Sequence, residues 1–267
     1  MYAFELQQPK SVKEAVALLG ASDDSRLLAG GQTLIAAMKL RLSSPSSLVD
    51  LGGIAELRGI RREAGALVIG AGTCHAAVAA SDDVRQSIPA LATMAGEIGD
   101  AQVRNLGTLG GSLANNDPAA CYPAAVLGLN ATIQTDRREI AADDFFRGMY
   151  ETALAPDEII TAVRFPIPDK AAYIKFTNPA SRFALVGVFV SRGAGGGGVR
   201  VAATGCAGSM FRVTALEQAL DADFSPDAAK AVKIPPDGLS SDLYASAAYR
   251  AHLIPVLAAR AVARALA

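Results

Sequence analysis

Apolar and polar positions alternate in short blocks along this chain, and the blocks predict mixed helix and strand. Residues 11–20 read as a short helix, with Ser11 as N-cap, Glu14 three residues on and Gly20 as the stop. Residues 25–29 read as a strand running into Gly30 and Gly31, and residues 34–42 as a helix ending at Pro45. Short strands follow at 47–51 and 66–70. Ser81 starts a helix, and residues 89–98 form a second, apolar one through Leu91, Met94, Ala95 and Ile98. A buried helix is predicted at 119–129, a strand at 131–135 with a return at Ile140, a short turn or helix at 142–147 and a long strand at 158–165. Pro166 and Pro168 then mark the main boundary. Beyond it come strands at 173–176, 184–190 and 199–204. Helices at 213–220 and 253–266 complete the pattern, and no internal repeat is visible.

Composition narrows the function. At 267 residues the chain accommodates about two domains. A net charge of −1 leaves no basic footprint for nucleic acid. Although 51% of the residues are hydrophobic, no apolar run reaches the roughly 18 residues of a membrane span. Met1 runs directly into Tyr2-Ala-Phe-Glu with no basic and apolar leader, so no secretory signal is expected. Cys74, Cys121 and Cys206 are odd in number and scattered, which argues for a reducing, cytoplasmic setting and against an iron–sulfur or zinc site on this chain.

Two glycine-rich stretches carry the chemistry. Residues 102–118 hold Gly107, Gly110 and Gly111, with Thr108 and Ser112 among them and Asn115, Asn116 and Asp117 next. Residues 27–35 pair Gly30 and Gly31 with Gln32 and Thr33. Glycine opens the backbone to a ligand, and successive exposed N–H groups make an anion site. Each pair alone is an ordinary turn; two such stretches together suggest loops clamping one pyrophosphate. Gly70 and Gly72 after a strand imitate a dinucleotide fingerprint, but His75 replaces the third glycine and no acid follows at the required distance. No Gly-Lys-Ser/Thr phosphate loop occurs. The glycine run at 195–198 reads as a hairpin connection, and His75 and His252 as packed or surface residues.

These motifs resemble the FAD-binding (medium) subunits of the molybdenum hydroxylases, the flavoprotein subunits of carbon monoxide dehydrogenase-like and xanthine dehydrogenase-like enzymes. The likeness lies in Ala29-Gly-Gly-Gln-Thr-Leu-Ile35 with Met38-Lys-Leu-Arg-Leu42, in Ile69-Gly-Ala-Gly-Thr73 and in the run from Ile98 to Ala114. It continues in Asp117-Pro-Ala-Ala120 and Ala247-Ala-Tyr-Arg-Ala-His252, and so covers nearly the whole chain.

The resemblance implies an α+β fold: a two-subdomain FAD-binding domain of the vanillyl-alcohol-oxidase (PCMH) type, then a small C-terminal α+β domain with a three-stranded sheet. The domains would be 1–168 (subdomains about 1–55 and 56–168) and 169–267. FAD would be held by Ala29, Gly30, Gly31, Gln32, Thr33 and Leu34 on one side and by Thr108, Leu109, Gly110, Gly111, Ser112 and Asn115 on the other. Asp117 is placed either at a ribityl or ribose hydroxyl or as a helix cap before Pro118. Lys175 is a candidate for the flavin N1–C2 edge, or else a solvated strand lysine; Phe183 either stacks on the ring or packs in the core. The chain departs from many members at Cys121-Tyr122 and Arg182-Phe183, where those members carry Asp-Leu and Asp-Tyr.

The implied role is electron transfer. Electrons would arrive from the 2Fe-2S clusters of a small subunit, after substrate oxidation at a molybdopterin-binding large subunit, and leave for an external acceptor. The implied assembly is a dimer of heterotrimers. No catalytic acid, base or nucleophile is expected on this chain. The alternatives are a stand-alone FAD reductase of the same superfamily and a cofactor-free assembly protein.

Overall fold

The computed structural model describes all 267 residues. A three-stranded parallel sheet comes first, with Ser47–Asp50 between Glu5–Gln7 and Ser25–Leu28. The helix Val12–Leu19 packs on it through Ala15 and Leu19. Ser11 caps that helix by accepting from the Glu14 N–H, and Glu14 reaches back to the Lys10 N–H.

A five-stranded antiparallel sheet follows, in the order Ile60–Glu63, Ala66–Gly70, Ile160–Pro166, Thr132–Thr135, Glu139–Ala141. Helices Pro89–Gly96 and Cys121–Gly128 bury their apolar residues in the 32-residue core beside it. Every residue of Cys121–Gly128 is buried, so this helix carries no polar face.

The C-terminal sheet is antiparallel, in the order Lys170–Thr177, Ala184–Arg192, Val199–Thr204, Phe211–Arg212. The three expected strands are therefore joined by a fourth of two residues. Ala184–Arg192 is buried on both faces, which explains its unbroken apolar run. Phe189 faces the first large core, and Val186, Val188 and Val190 face a second core of 20 residues under the helix Ala247–Leu266.

Three observations adjust the sequence-based elements. The stretch 102–118 is not one open loop. It contains the helices Ala101–Leu106 and Leu109–Asn115, joined at Gly107 and Thr108. Asp100 and Thr108 cap them by accepting from Val103 N and Gly111 N. The last helix begins at Ala247 rather than 253, under a Ser246 cap. Helices His75–Ala80 and Pro226–Ala231 were not anticipated; both are short and rich in alanine, with too few large apolar residues to mark a period.

A polar seam joins the parts. Thr204 Oγ1 donates to the carbonyls of Pro118 and Ala120 at 2.8 Å each, and Gly205 N–H donates to Pro118 at 2.8 Å. Arg250, buried on the final helix, donates to the carbonyls of Leu185 and Gly205 at 2.6 Å and pairs with Asp242 at 2.6 Å. The C-terminal sheet is thus tied to the backbone that follows the second glycine-rich stretch.

Candidate functional site

One cleft of about 2100 Å³ dominates the molecule. Pockets for compact ligands run to roughly 1,000 Å³, so this one suits an extended ligand. Every site residue named from the sequence lines it except Leu109. Leu109 is fully buried in the core, and its N–H donates to the Thr73 carbonyl.

The two glycine-rich stretches meet in this cleft but present different donors. In the first, the six successive N–H groups of Ala29, Gly30, Gly31, Gln32, Thr33 and Leu34 make no hydrogen bond within the chain; the first donor beyond them is Ile35, to Gly31. The strand Ser25–Leu28 has ended and the helix Leu34–Lys39 has only begun, so no internal acceptor stands opposite. Gly31, at φ +70°, turns the chain between them. Gln32 Nε2 donates back to the Gly30 carbonyl at 3.0 Å and steadies the turn. Six open donors at one bend are the arrangement from which backbone anion sites are made.

In the second stretch most main-chain donors are occupied. Gly110 donates to Ala71, Gly111 to Thr108 Oγ1 and Ser112 to the Thr108 carbonyl. The Thr108 N–H has no internal acceptor, and the Ser112 hydroxyl and Asn115 amide make no internal hydrogen bond. The glycines here serve close packing more than ligand approach. A Cβ on Gly110 would lie 2.6 Å from Ala71 Cβ, and one on Gly107 would lie 2.7 Å from His75 Nε2. The Gly70–Gly72 pair has the same explanation, since both press on the Leu57 backbone.

At the far end of this stretch Asp117 caps no helix. Its Oδ1 accepts from Ala119 N–H at 2.8 Å, closing a turn, and its Oδ2 accepts from the Tyr150 hydroxyl at 3.4 Å. Asn116 makes that meeting possible. It is fully buried in the left-handed conformation at φ 46°, and its amide donates to the carbonyls of Gly148 and Glu151 at 2.8 and 2.7 Å. Those bonds hold the hairpin that presents Tyr150 to the cleft. Sequence reasoning noted Asn116 in the second stretch without giving it a role, and did not single out Tyr150. Asn before Asp-Pro signalled a left-handed turn, whereas nothing local marked Tyr150.

The C-terminal sheet closes the other end. Lys175 turns its ammonium into the cleft, donating to the Glu97 carbonyl at 2.6 Å and the Arg182 carbonyl at 3.4 Å. It is therefore not a freely solvated strand lysine. Phe183 lines the cleft with 49% of its surface exposed, so it is not a core residue. Arg182, beside it, is held at φ 64° by a turn in which its N–H donates to the Asn178 carbonyl.

His75 sits beneath the second stretch. It is buried, its ring centroid lies 5.2 Å from that of Tyr122, and its main-chain N–H donates to the Gly107 carbonyl. Burial, helped by the Arg104 charge, lowers its pKa to about 4.

A bend of open main-chain donors, a set of hydroxyl and amide groups, and a lysine and an exposed aromatic line this one cleft. The residues present fit FAD. The open donors are main-chain groups of the kind a pyrophosphate would satisfy, and a volume of about 2100 Å³ leaves room for a dinucleotide. Residues 2–168 match the family model described as the FAD binding domain in molybdopterin dehydrogenase. The chain belongs to the FAD-binding subunits of the molybdenum hydroxylases.

It is 35% identical to the nicotine 6-hydroxylase medium subunit of Paenarthrobacter nicotinovorans over 98% of this chain and 97% of that one. It is 36% identical to the carbon monoxide dehydrogenase medium chain of Afipia carboxidovorans over 98% of this chain and 96% of that one. A carbon monoxide dehydrogenase structure from Hydrogenophaga pseudoflava superposes with a TM-score of 0.88 at 36% identity, over 99% of this chain and 98% of that one. The protein is thus a subunit of an oxidoreductase whose cofactor is FAD, with a two-subdomain flavin fold and a small C-terminal α+β domain. No helix is long and apolar enough to cross a membrane.

Proposed function

We propose that this chain is the electron-exit subunit of a molybdenum hydroxylase complex. It takes electrons from the 2Fe-2S clusters of a small subunit and passes them through FAD to an external acceptor. The observation that supports this most directly is the bend at Ala29–Leu34, whose six N–H groups have no acceptor within the chain and whose residues line one cleft with the second stretch. When bound, FAD supplies the redox chemistry, accepting single electrons and releasing a pair.

The chain's own residues bind and orient. The N–H groups of Ala29, Gly30, Gly31, Gln32, Thr33 and Leu34 hold the pyrophosphate, and the helix dipole of Leu34–Lys39 favours its charge. Thr108, Gly110, Gly111, Ser112 and Asn115 form the opposite wall. Asp117 and Tyr150 take hydroxyl groups of the sugar or ribityl chain. Lys175 and Phe183 contact the ring. Leu109 acts from the core and is left out of the contact set.

Substrate choice belongs elsewhere in the complex. Two relatives named for nicotine and for carbon monoxide are about equally similar to this chain, over nearly its whole length. A subunit that contacted substrate would carry the difference. In this reading the molybdenum cofactor sits on a large subunit, and the assembly is a dimer of heterotrimers working in the cytoplasm. Residues 1–168 form the flavin domain, with subdomains at about 1–55 and 56–168, and residues 169–267 form the C-terminal domain.

The test has two steps. Purified chain incubated with FAD and then freed of unbound flavin should retain flavin absorption, and acid should release from it a pigment with the mass of FAD. Isolation from the native host should then bring down an iron–sulfur subunit and a molybdopterin-binding subunit. A lone chain that is active by itself would overturn the complex.

A further inference from the structure

Lys175 is the one lysine that lines the cleft, and it takes part in none of the chain's ion pairs. Its ammonium is held by the Glu97 and Arg182 carbonyls and approaches one side-chain acceptor, Cys121 Sγ, at 3.9 Å. Glu97 offers its main-chain oxygen here; its carboxyl feels the lysine charge without bonding to it. Burial pushes the Cys121 thiol up, so the sulfur stays protonated and neutral. Tyr173, 1% exposed, approaches the same sulfur, and its hydroxyl has no other partner.

Carbonyl dipoles and a neutral thiol steady a cation without cancelling it, whereas a carboxylate at the same distance would neutralise it. The left-handed Arg182, which turns a carbonyl toward Nζ, is backbone strain spent on the same end.

We infer that Lys175 and Cys121 together set the electron affinity of the flavin. Lys175 supplies a positive charge that no carboxylate bonds to directly and that favours the reduced, anionic ring, and Cys121 preserves that charge by placing a neutral group where a bonded acid would quench it. Cys121 acts through Lys175 and is a positioning residue. The inference rests on the FAD cleft proposed above.

The test uses the full chain reconstituted with FAD and equilibrated anaerobically against a redox dye. The measured quantity is the ratio of reduced to oxidised flavin at one fixed dye potential. Cys121→Asp should lower the ratio roughly tenfold or more, because the added negative charge offsets the ammonium's field at the ring. Cys121→Ser, neutral and of similar size, should change it less than about twofold by the same criterion. Lys175→Met should lower it as Cys121→Asp does. A Cys121→Asp chain that binds FAD stoichiometrically with an unchanged ratio overturns the inference. Should that variant not fold, Lys175→Met decides alone, and weaker FAD binding with an unchanged ratio would mark Lys175 as a mere strut. Wild-type chain that takes up no FAD would instead overturn the cofactor cleft itself.

Discussion

Gly30 and Leu106 touch backbone to backbone across the root of the cleft. A Cβ on Gly30 would run into the Leu106 carbonyl and lie 2.8 Å from Gly107 Cα. The first glycine-rich bend is thereby seated on the segment that starts the second, and the two walls hold a fixed separation. Gly30→Ala should force them apart and reduce bound FAD well below stoichiometric, read from the ratio of flavin to protein absorbance. Gly208→Ala, where a Cβ meets only the end of Met149 at 3.8 Å, is the control and should retain full flavin.

Acid should weaken the protein through His75. Its pKa of about 4 lies below the ordinary value of 6.5, so above pH 6.5 both folded and unfolded forms are neutral and the residue is silent. Between 6.5 and 4 the unfolded chain takes up the proton and the folded chain does not, so stability falls as pH drops. The loss approaches about 3 kcal/mol near pH 4. Thermal melts of wild type and His75→Asn from pH 8 to 5 should show a flatter dependence in the variant.

Glu158 carries the opposite kind of titration. Hydrogen bonds from Arg138, with help from Ala155 N–H and Thr135 Oγ1, hold its pKa at about 2. Its stabilisation is complete above the ordinary value of 4.5 and is lost as pH falls toward 2. Glu158→Gln should cost about 1–2 kcal/mol at pH 7, because the Arg138 side chain is 49% exposed and solvent screens much of the pairing. The gap between the two proteins should narrow in urea titrations at pH 3.

Arg250→Met should cost about 3 kcal/mol in urea unfolding, since it leaves the Leu185 and Gly205 carbonyls without their donor and breaks the Asp242 pair. Gly205 in turn holds Pro118 beside Asp117, so FAD should also dissociate faster from this variant.

Local order along the chain was sufficient for most of the fold and for the cleft's cast. Strands such as Ala66–Gly70 and Ala184–Arg192 are marked by apolar runs between breakers, and the Ser11 cap and Gly20 stop bound the first helix. The glycine-rich stretches are visible because each sets two adjacent glycines beside a threonine. The long-range partners are another matter. That Gly107, Gly110 and Gly70 are glycine because other backbone or side chains press on them is a fact about neighbours distant in sequence.

The same limit applies to donors and charges. Sequence determined that two stretches rich in backbone donors and hydroxyls exist, but only the tertiary structure decided which donors stay open. Ala29–Leu34 lies between a finished strand and a starting helix, while Leu109 and Gly110 find acceptors in Thr73 and Ala71. Tyr150 reaches Asp117 through a hairpin held by Asn116, and Lys175 meets Cys121 through the stacking of the C-terminal sheet on a buried helix. Periodicity and capping are short-range properties that a linear chain displays directly. Hydrogen-bond satisfaction and charge compensation depend on which distant groups the fold brings within about 3–4 Å, and no local pattern encodes that distance.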